Sequence, residues 1–426
     1  MEPNAQPVNS MRFKPAHWPS IMQLGLSLLA SLALWSMALS AALIGVMQLS
    51  STPALGMEAA PLFIWAAGTA FMGLLLLPSA YYALRRLMAA TVKPMFGPVT
   101  QRSLFKLNTT VSLALILIFP LVLWLGDRVI QNQVLGWLVL PILHVLAVGI
   151  PIAWLFLLGS RGLSVGSPQR FWGIFSSGLV LGPFIILTLE IASLLGLAIL
   201  GVVYVSSQPE LQEQLANLTL RLSHVPNQFV ALRILAPFLQ KPVVLLAILA
   251  YGAVIVPMIE ELVKPVGVWL LLRRGLTPAQ GFAFGLLSGA AYAIFESLVL
   301  ANASTDWAIL ALARVGTALL HIVTTGLTGW ALVQIWPSAP GKTGKNAARL
   351  AITYLVVVCL HGLWNGLTLV TAWAGFMRQL ESSSSGMLMQ VGQLAPIGLG
   401  ILVLILFAIL AVVNKRVGAG LFFDRK

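Results

Sequence analysis

The sequence is short of charge: 9% of its 426 residues are Asp, Glu, Lys or Arg, and only 12 are acidic. A soluble domain carries about a quarter charged residues, so this composition excludes water as the main solvent of the folded chain. Cysteine is almost missing too. Cys359 is the only one, which excludes an intrachain disulfide, and its place in an apolar run predicts a small buried hydrophobe. No H-E-x-x-H zinc signature is present, no pair of intramembrane Asp is available for an aspartyl dyad, and a serine nucleophile is not expected. Ten-residue segments of alternating polarity, the mark of a membrane β-barrel, are absent. So is a basic patch, which argues against nucleic-acid binding. No internal repeat is evident. The N-terminus lacks a secretory signal, because the apolar run after Trp18 is too long for a signal core and no small-residue cleavage site follows it.

What is present is apolar sequence in long runs. The chain is 59% hydrophobic, with a mean hydropathy of +0.94. Runs of 18 or more apolar residues read as spanning helices, and in hydrocarbon each backbone group must be bonded within its own segment. The expected fold is therefore an all-α polytopic transmembrane bundle. Ten spans are predicted, at about 20–48, 61–84, 109–125, 134–158, 172–205, 242–272, 278–302, 308–335, 350–374 and 391–413. The fifth is longer than a bilayer requires and must tilt or project.

The net charge of +13 is concentrated at span ends. Arg12 and Lys14, then Arg85, Arg86, Lys93, Arg102 and Lys106, then Arg161 and Arg170, then Arg273 and Arg274, then Lys342, Lys345 and Arg349, and finally Lys415, Arg416, Arg425 and Lys426 all fall on one side of a ten-span chain. Loop 49–60 on the other side has no positive residue, and 375–390 has only Arg378. By the positive-inside rule both termini are cytoplasmic. Segment 206–241 is the longest external piece, and its mixture of Glu210, Glu213, Arg221 and Arg233 with apolar residues predicts an amphipathic helix. The Ser-rich stretch 382–385 is expected to be a short loop. The predicted division is a five-span N-terminal bundle over 1–240, a four-span core over 241–376, and a last span with a basic tail over 377–426.

Polar residues gather in spans six to nine, where a charge at the bilayer centre costs about 2.5–3.5 kcal/mol on insertion scales. Span six, VIVPMIEELVKPVGVW, holds Glu260, Glu261 and Lys264 between Pro257 and Pro265. Lys264 lies four residues from one carboxylate and three from the other, so it can reach either on a helix. The prolines loosen the helix around the group. A charge-compensated kink that anchors packing accounts for the same residues. Span seven carries Gly281, Gly285 and Gly289 at every fourth position, a smooth face for close helix approach. Its Tyr292 and Glu296 can share a hydrogen bond, or Glu296 can pair with Arg314 of span eight as a structural ion pair. Span eight holds His321 and span nine His361 and Asn365 on one helical face. Glu261 is 12 residues from Arg273, which sets the carboxylates at a depth similar to both histidines. His144 and Glu190 are isolated in the first five spans, each readable as a paired structural residue.

Three helices thus offer carboxylate, imidazole and imidazole-plus-amide at one level. A carboxylate that burial makes more basic can deprotonate a water, and an amide can donate to the oxyanion of a tetrahedral intermediate. Two His and one Glu also suit zinc. A non-catalytic scaffold and a proton-coupled transporter relaying through Glu190, Glu261 and the histidines are the other readings of the same residues.

These residues resemble the ordered motifs of the PrsW-type membrane proteases, over about 240–376. That family is grouped with the CAAX-protease-like proteins of bacteria, the Ras-converting prenyl endopeptidase and the scaffold subunit of γ-secretase. The E-E-x-x-K motif falls on Glu260, Glu261 and Lys264. F-E-x-x-x-Y is met by Phe295 and Glu296, with Leu300 at the tyrosine position and Tyr292 one turn earlier. The third motif falls on His321, with Thr325 where an acidic residue is usual, and the fourth on His361. Asn365 looks like the second member of the prenyl endopeptidase's H-x-x-x-N. The resemblance implies an intramembrane protease of the glutamic type, without a cofactor, in which Glu260 or Glu261 activates water, Lys264 holds the other carboxylate, and His321, His361 and Asn365 orient water and oxyanion. Glu296, Tyr292 and Arg314 would support them. It further implies a bacterial cell membrane and single-span substrates such as anti-sigma factors. A zinc hydrolase stays open beside it.

Overall fold

A computed structural model of the chain describes residues 17–51, 56–89, 109–225, 228–299, 306–335, 343–380 and 387–419. Arg12, Lys14, Lys93, Arg102, Lys106, Lys342, Arg425, Lys426 and the Ser-rich stretch 382–385 lie outside them. Among the described residues there is no strand, and ten helices are long and apolar enough to cross a membrane. In chain order these spans are Trp18–Ser50, Ala59–Met88, Thr110–Val129, Leu140–Gly159, Pro168–Ser206, Pro242–Arg274, Pro278–Val299, Trp307–Ile335, Thr343–Gln379 and Leu388–Gly418. All ten predicted spans are there, most of them longer than hydropathy alone suggests. Segment 206–241 forms two helices, Pro209–Ser223 and Gln228–Leu239, the first with no buried residue.

Side-chain bonds tie together the ends that the charge pattern puts on one side. Arg86 at the end of the second span donates to Gln169 at the start of the fifth, 3.1 Å. Asn414 near the end of the tenth donates to the carbonyls of Gly159 and Arg161 at the end of the fourth, 2.6 and 3.1 Å.

The seventh span is the centre of the bundle, buried from Gly281 to Ile294. Its glycines explain why. A Cβ added at Gly281, Gly285 or Gly289 would stand 2.6, 2.3 or 2.4 Å from the carbonyl oxygens of Gly329, Thr325 or His321 in the eighth span. The two backbones therefore touch along three turns, as the four-residue spacing predicts. Phe282, Phe284, Leu286 and Leu287 pack round this seam, with Met72, Val148, Phe171 and Leu410 from other spans in the same core.

The fifth and sixth spans each contain one widened π turn, at Ser177–Leu181 and Tyr251–Ile255. Both turns run into a proline by the same pattern, G-x-V-x-x-P, at Gly178–Pro183 and Gly252–Pro257. A proline ring clashes with the carbonyl four residues before it and has no N–H to offer; widening the preceding turn relieves the clash. The sixth span breaks again at Lys264–Pro265, between the helical pieces Val256–Val263 and Val266–Trp269. Cys359 corrects an expectation: it is exposed, not buried. An apolar run in a membrane helix has a lipid-facing side as well as a packed one, and hydropathy does not tell them apart.

Candidate active site

Carbonyls of the broken sixth span accept side-chain donors, three of them from neighbouring spans and one, Trp269, from the span itself. In the widened turn the N–H of Val256 bonds to Tyr251, so the next carbonyl, that of Gly252, meets Pro257 and has no N–H to accept from. The Asn365 amide fills the gap at 2.9 Å. Tyr354 donates to the Met258 carbonyl at 2.6 Å, Trp269 to that of Leu262 at 2.9 Å, and Ser288 to that of Lys264 at 2.6 Å. Ser288 and Tyr354 carry no sequence signal beyond being polar in apolar helices. The Pro257 and Pro265 kinks nevertheless announce that donors of this kind must exist.

These ties bring the polar residues of four spans to one place. The Lys264 ammonium, fully buried, lies 2.7 Å from Glu260 Oε2 and 3.0 Å from Glu261 Oε1. It is also 2.7 Å from His321 Nδ1 and 3.3 Å from His361 Nδ1. The Tyr292 ring faces it at 4.8 Å and stands edge-on to His321. His361 Nδ1 is 2.8 Å from Glu261 Oε1, and His361 Nε2 is 3.9 Å from Glu260 Oε2. His321 Nε2 meets Glu296 Oε2 at 2.5 Å, and the other Glu296 oxygen takes Arg314 at 3.0 Å. Glu296 thus meets one of its two expected partners, Arg314, and adds a histidine that spacing did not suggest, while Tyr292 is not bonded to it.

The proton positions follow from these contacts. An ammonium can only donate, so His321 Nδ1 accepts from Lys264 and its proton sits on Nε2, directed at Glu296. His361 Nδ1 lies nearer the Glu261 carboxylate, 2.8 Å, than the Lys264 ammonium, 3.3 Å, so its proton is directed at Glu261 and the Nε2 lone pair turns toward Glu260. The two carboxylates of the sixth span differ accordingly. Glu261 is wholly buried between Lys264 and His361. The Glu260 side chain is 10% exposed, and its contact with Lys264 lacks the alignment of a hydrogen bond.

Glu260, His321 and His361 also offer donor atoms within 4.8 Å of one another, a set that could hold a metal ion. The donors fit in kind. Two imidazoles and a carboxylate suit zinc, and each imidazole has its other nitrogen on a carboxylate, the backing that metal-bound histidines usually have. The same space is occupied by the Lys264 ammonium, so a metal there would require Lys264 to move.

His144 is apart from this cluster. Its Nδ1 accepts from the Trp307 indole at 3.2 Å, a paired buried histidine. The G-x-S-x-G sequence at Gly162–Gly166 lies in a loop with both glycines at positive φ and Ser164 exposed, not in the strand-to-helix elbow that activates a serine.

A family model described as PrsW family intramembrane metalloprotease matches residues 193–412. No curated protein and no solved structure matches the chain.

Proposed function

The chain belongs to the PrsW family of intramembrane proteases, and from that premise we propose that it is an endopeptidase in which Glu260 primes a water for attack on a peptide bond of a membrane-embedded protein. The observation that carries the proposal is the convergence of Glu260, Glu261, His321 and His361 around Lys264. Glu260 is the base because it is the less enclosed of the two acids and, unlike Glu261, makes no aligned hydrogen bond to Lys264. The 3.9 Å between its Oε2 and His361 Nε2 is too long for a direct bond, and groups at such a spacing are commonly bridged by water. A water held there gives one proton to Glu260 as it attacks, and Glu260 returns it to the leaving amine. Lys264 and Glu261 fix the geometry. His321, held by Glu296, accepts from Lys264 and keeps it in place, and the second N–H of Asn365 stabilises the oxyanion.

The family description favours a second reading. If a metal is bound, Glu260, His321 and His361 are the side chains that would hold it, and it would supply a polarised water. Chelation separates the two. On the carboxylate reading, cleavage survives a chelator and the purified protein lacks stoichiometric zinc; chelator-sensitive cleavage with one zinc per chain puts the metal reading first.

Substrates follow from the resemblance: single-span membrane proteins such as anti-sigma factors, in a bacterial membrane; the Lys and Arg pattern puts both termini of the enzyme in the cytoplasm. Residues 241–376 would be the catalytic core, and 1–240 a docking bundle against it. The direct test is cleavage of a single-span reporter in membranes. Glu260→Gln is expected to slow it at least about a hundredfold at unchanged expression. Full activity in that variant would remove Glu260 from the role of base, and full activity in Glu261→Gln as well would remove the cluster from the chemistry.

A further inference from the structure

The fifth span contributes a carboxylate that none of the roles above uses. Glu190 is half-buried, and its Oε1 is enclosed without a hydrogen-bond partner among the described residues. An enclosed carboxylate oxygen left unbonded is costly in apolar surroundings, and a water or a donor on a bound substrate would offset that cost.

Its position points into the site. Glu190 is one turn beyond Ile186 on the same helical face, and Ile186 is buried against Val263 and Tyr292, the tyrosine whose ring faces Lys264. Helical side chains lean toward the N-terminus of their helix, which for Glu190 is toward Ile186. The span is held there from the other side: Tyr251 donates to the Glu190 carbonyl at 2.9 Å and lies 3.3 Å from the Ser193 hydroxyl. The charges acting on Glu190 are those of Glu260, Lys264 and Glu296. Within this group two cations, Lys264 and Arg314, face four carboxylates, Glu190, Glu260, Glu261 and Glu296. With neutral imidazoles the chamber has more acids than cations, and Glu190 is the acid that no cation among the described residues touches.

We infer that Glu190 is a specificity-determining residue: it receives a basic side chain, Lys or Arg, of the substrate close to the scissile bond. The inference rests on the endopeptidase reading above and gives the fifth span a part in substrate choice. It also places a substrate-reading residue just outside the family match at 193–412.

The test is a set of single-span reporters that differ only in a randomised window around the cleaved bond, co-expressed with the full chain, with new termini read by mass spectrometry. Wild type is expected to favour windows with Lys or Arg. Glu190→Gln, which keeps size and polarity, is expected to lower cleavage of basic windows about tenfold or more while leaving uncharged windows unchanged. Glu190→Asp is expected to restore part of the preference. Equal slowing of all windows by Glu190→Gln would make Glu190 structural and overturn the inference, as would an unchanged preference or a wild type indifferent to charge. A wild type that cuts no reporter would sink the endopeptidase reading itself, and this inference with it.

Discussion

At the residue scale the informative contrast is between neighbours. Glu260 and Glu261 are indistinguishable in the sequence, because adjacent positions on a helix point about 100° apart and nothing in the chain says which way the helix is turned. The structure separates them by what each touches. Glu261 is enclosed by Lys264 and His361, so removing it strands part of a buried charge. Glu261→Ala is expected to destabilise the protein by about 3 kcal/mol or more, read as a lower denaturation midpoint in detergent. Glu260→Gln should leave that midpoint nearly unchanged while it stops cleavage. The reverse pattern would exchange the roles of the two acids. Glu296 was open to two partners on spacing alone and takes neither by itself: it bridges Arg314 and His321, a link between spans that no local pattern encodes.

At the scale of elements, what the sequence discloses is periodicity, and what it conceals is the response of a helix to proline. The Gly281–Gly285–Gly289 stripe is legible because spacing four is the spacing of a helical face, and the eighth span does lie on it. Gly285→Val puts atoms where the Thr325 carbonyl stands, 2.3 Å from even a bare Cβ. The expected cost is about 1–3 kcal/mol or more, with loss of cleavage because His321 is carried on the displaced helix. Gly196, which has nothing within 4 Å, is the control: Gly196→Ala should leave activity intact and stability equal or raised by up to about 1 kcal/mol. Equal damage by both substitutions would mean that the seam is not what places His321. The π turns were hidden, since a G-x-V-x-x-P pattern becomes meaningful only once two copies are seen to widen alike. Asn365 shows the same limit. Its spacing put it on the same helical face as His361, but the freed Gly252 carbonyl that it serves is visible only in three dimensions.

At the scale of the whole molecule, hydropathy and charge were enough to count the spans, because ten apolar runs and one-sided Lys and Arg are independent signals that agree. They do not resolve which side of each helix meets lipid, and Cys359 is the residue on which that failed. Its isolation makes topology easy to test. In a Cys359→Ser background, a membrane-impermeant maleimide should label Glu213→Cys on intact cells, and Gly344→Cys only after the membrane is opened. Both positions are exposed. Labelling of Gly344→Cys on intact cells would invert the orientation proposed above.

The two wide turns have a bearing on how this chain tolerates changes of length. A helix absorbs one surplus residue in such a turn and stays in phase on either side. Excising Val254, which is exposed, should let the sixth span close to ordinary pitch with Glu260 still facing His361. Pro257 would then stand four places after Gly252, so Asn365 would be needed as before. The same excision between 258 and 263 would swing every side chain beyond it by about 100° relative to its partners. Single-residue losses in these spans are therefore tolerable at 177–181 and 251–255, and ruinous a turn later.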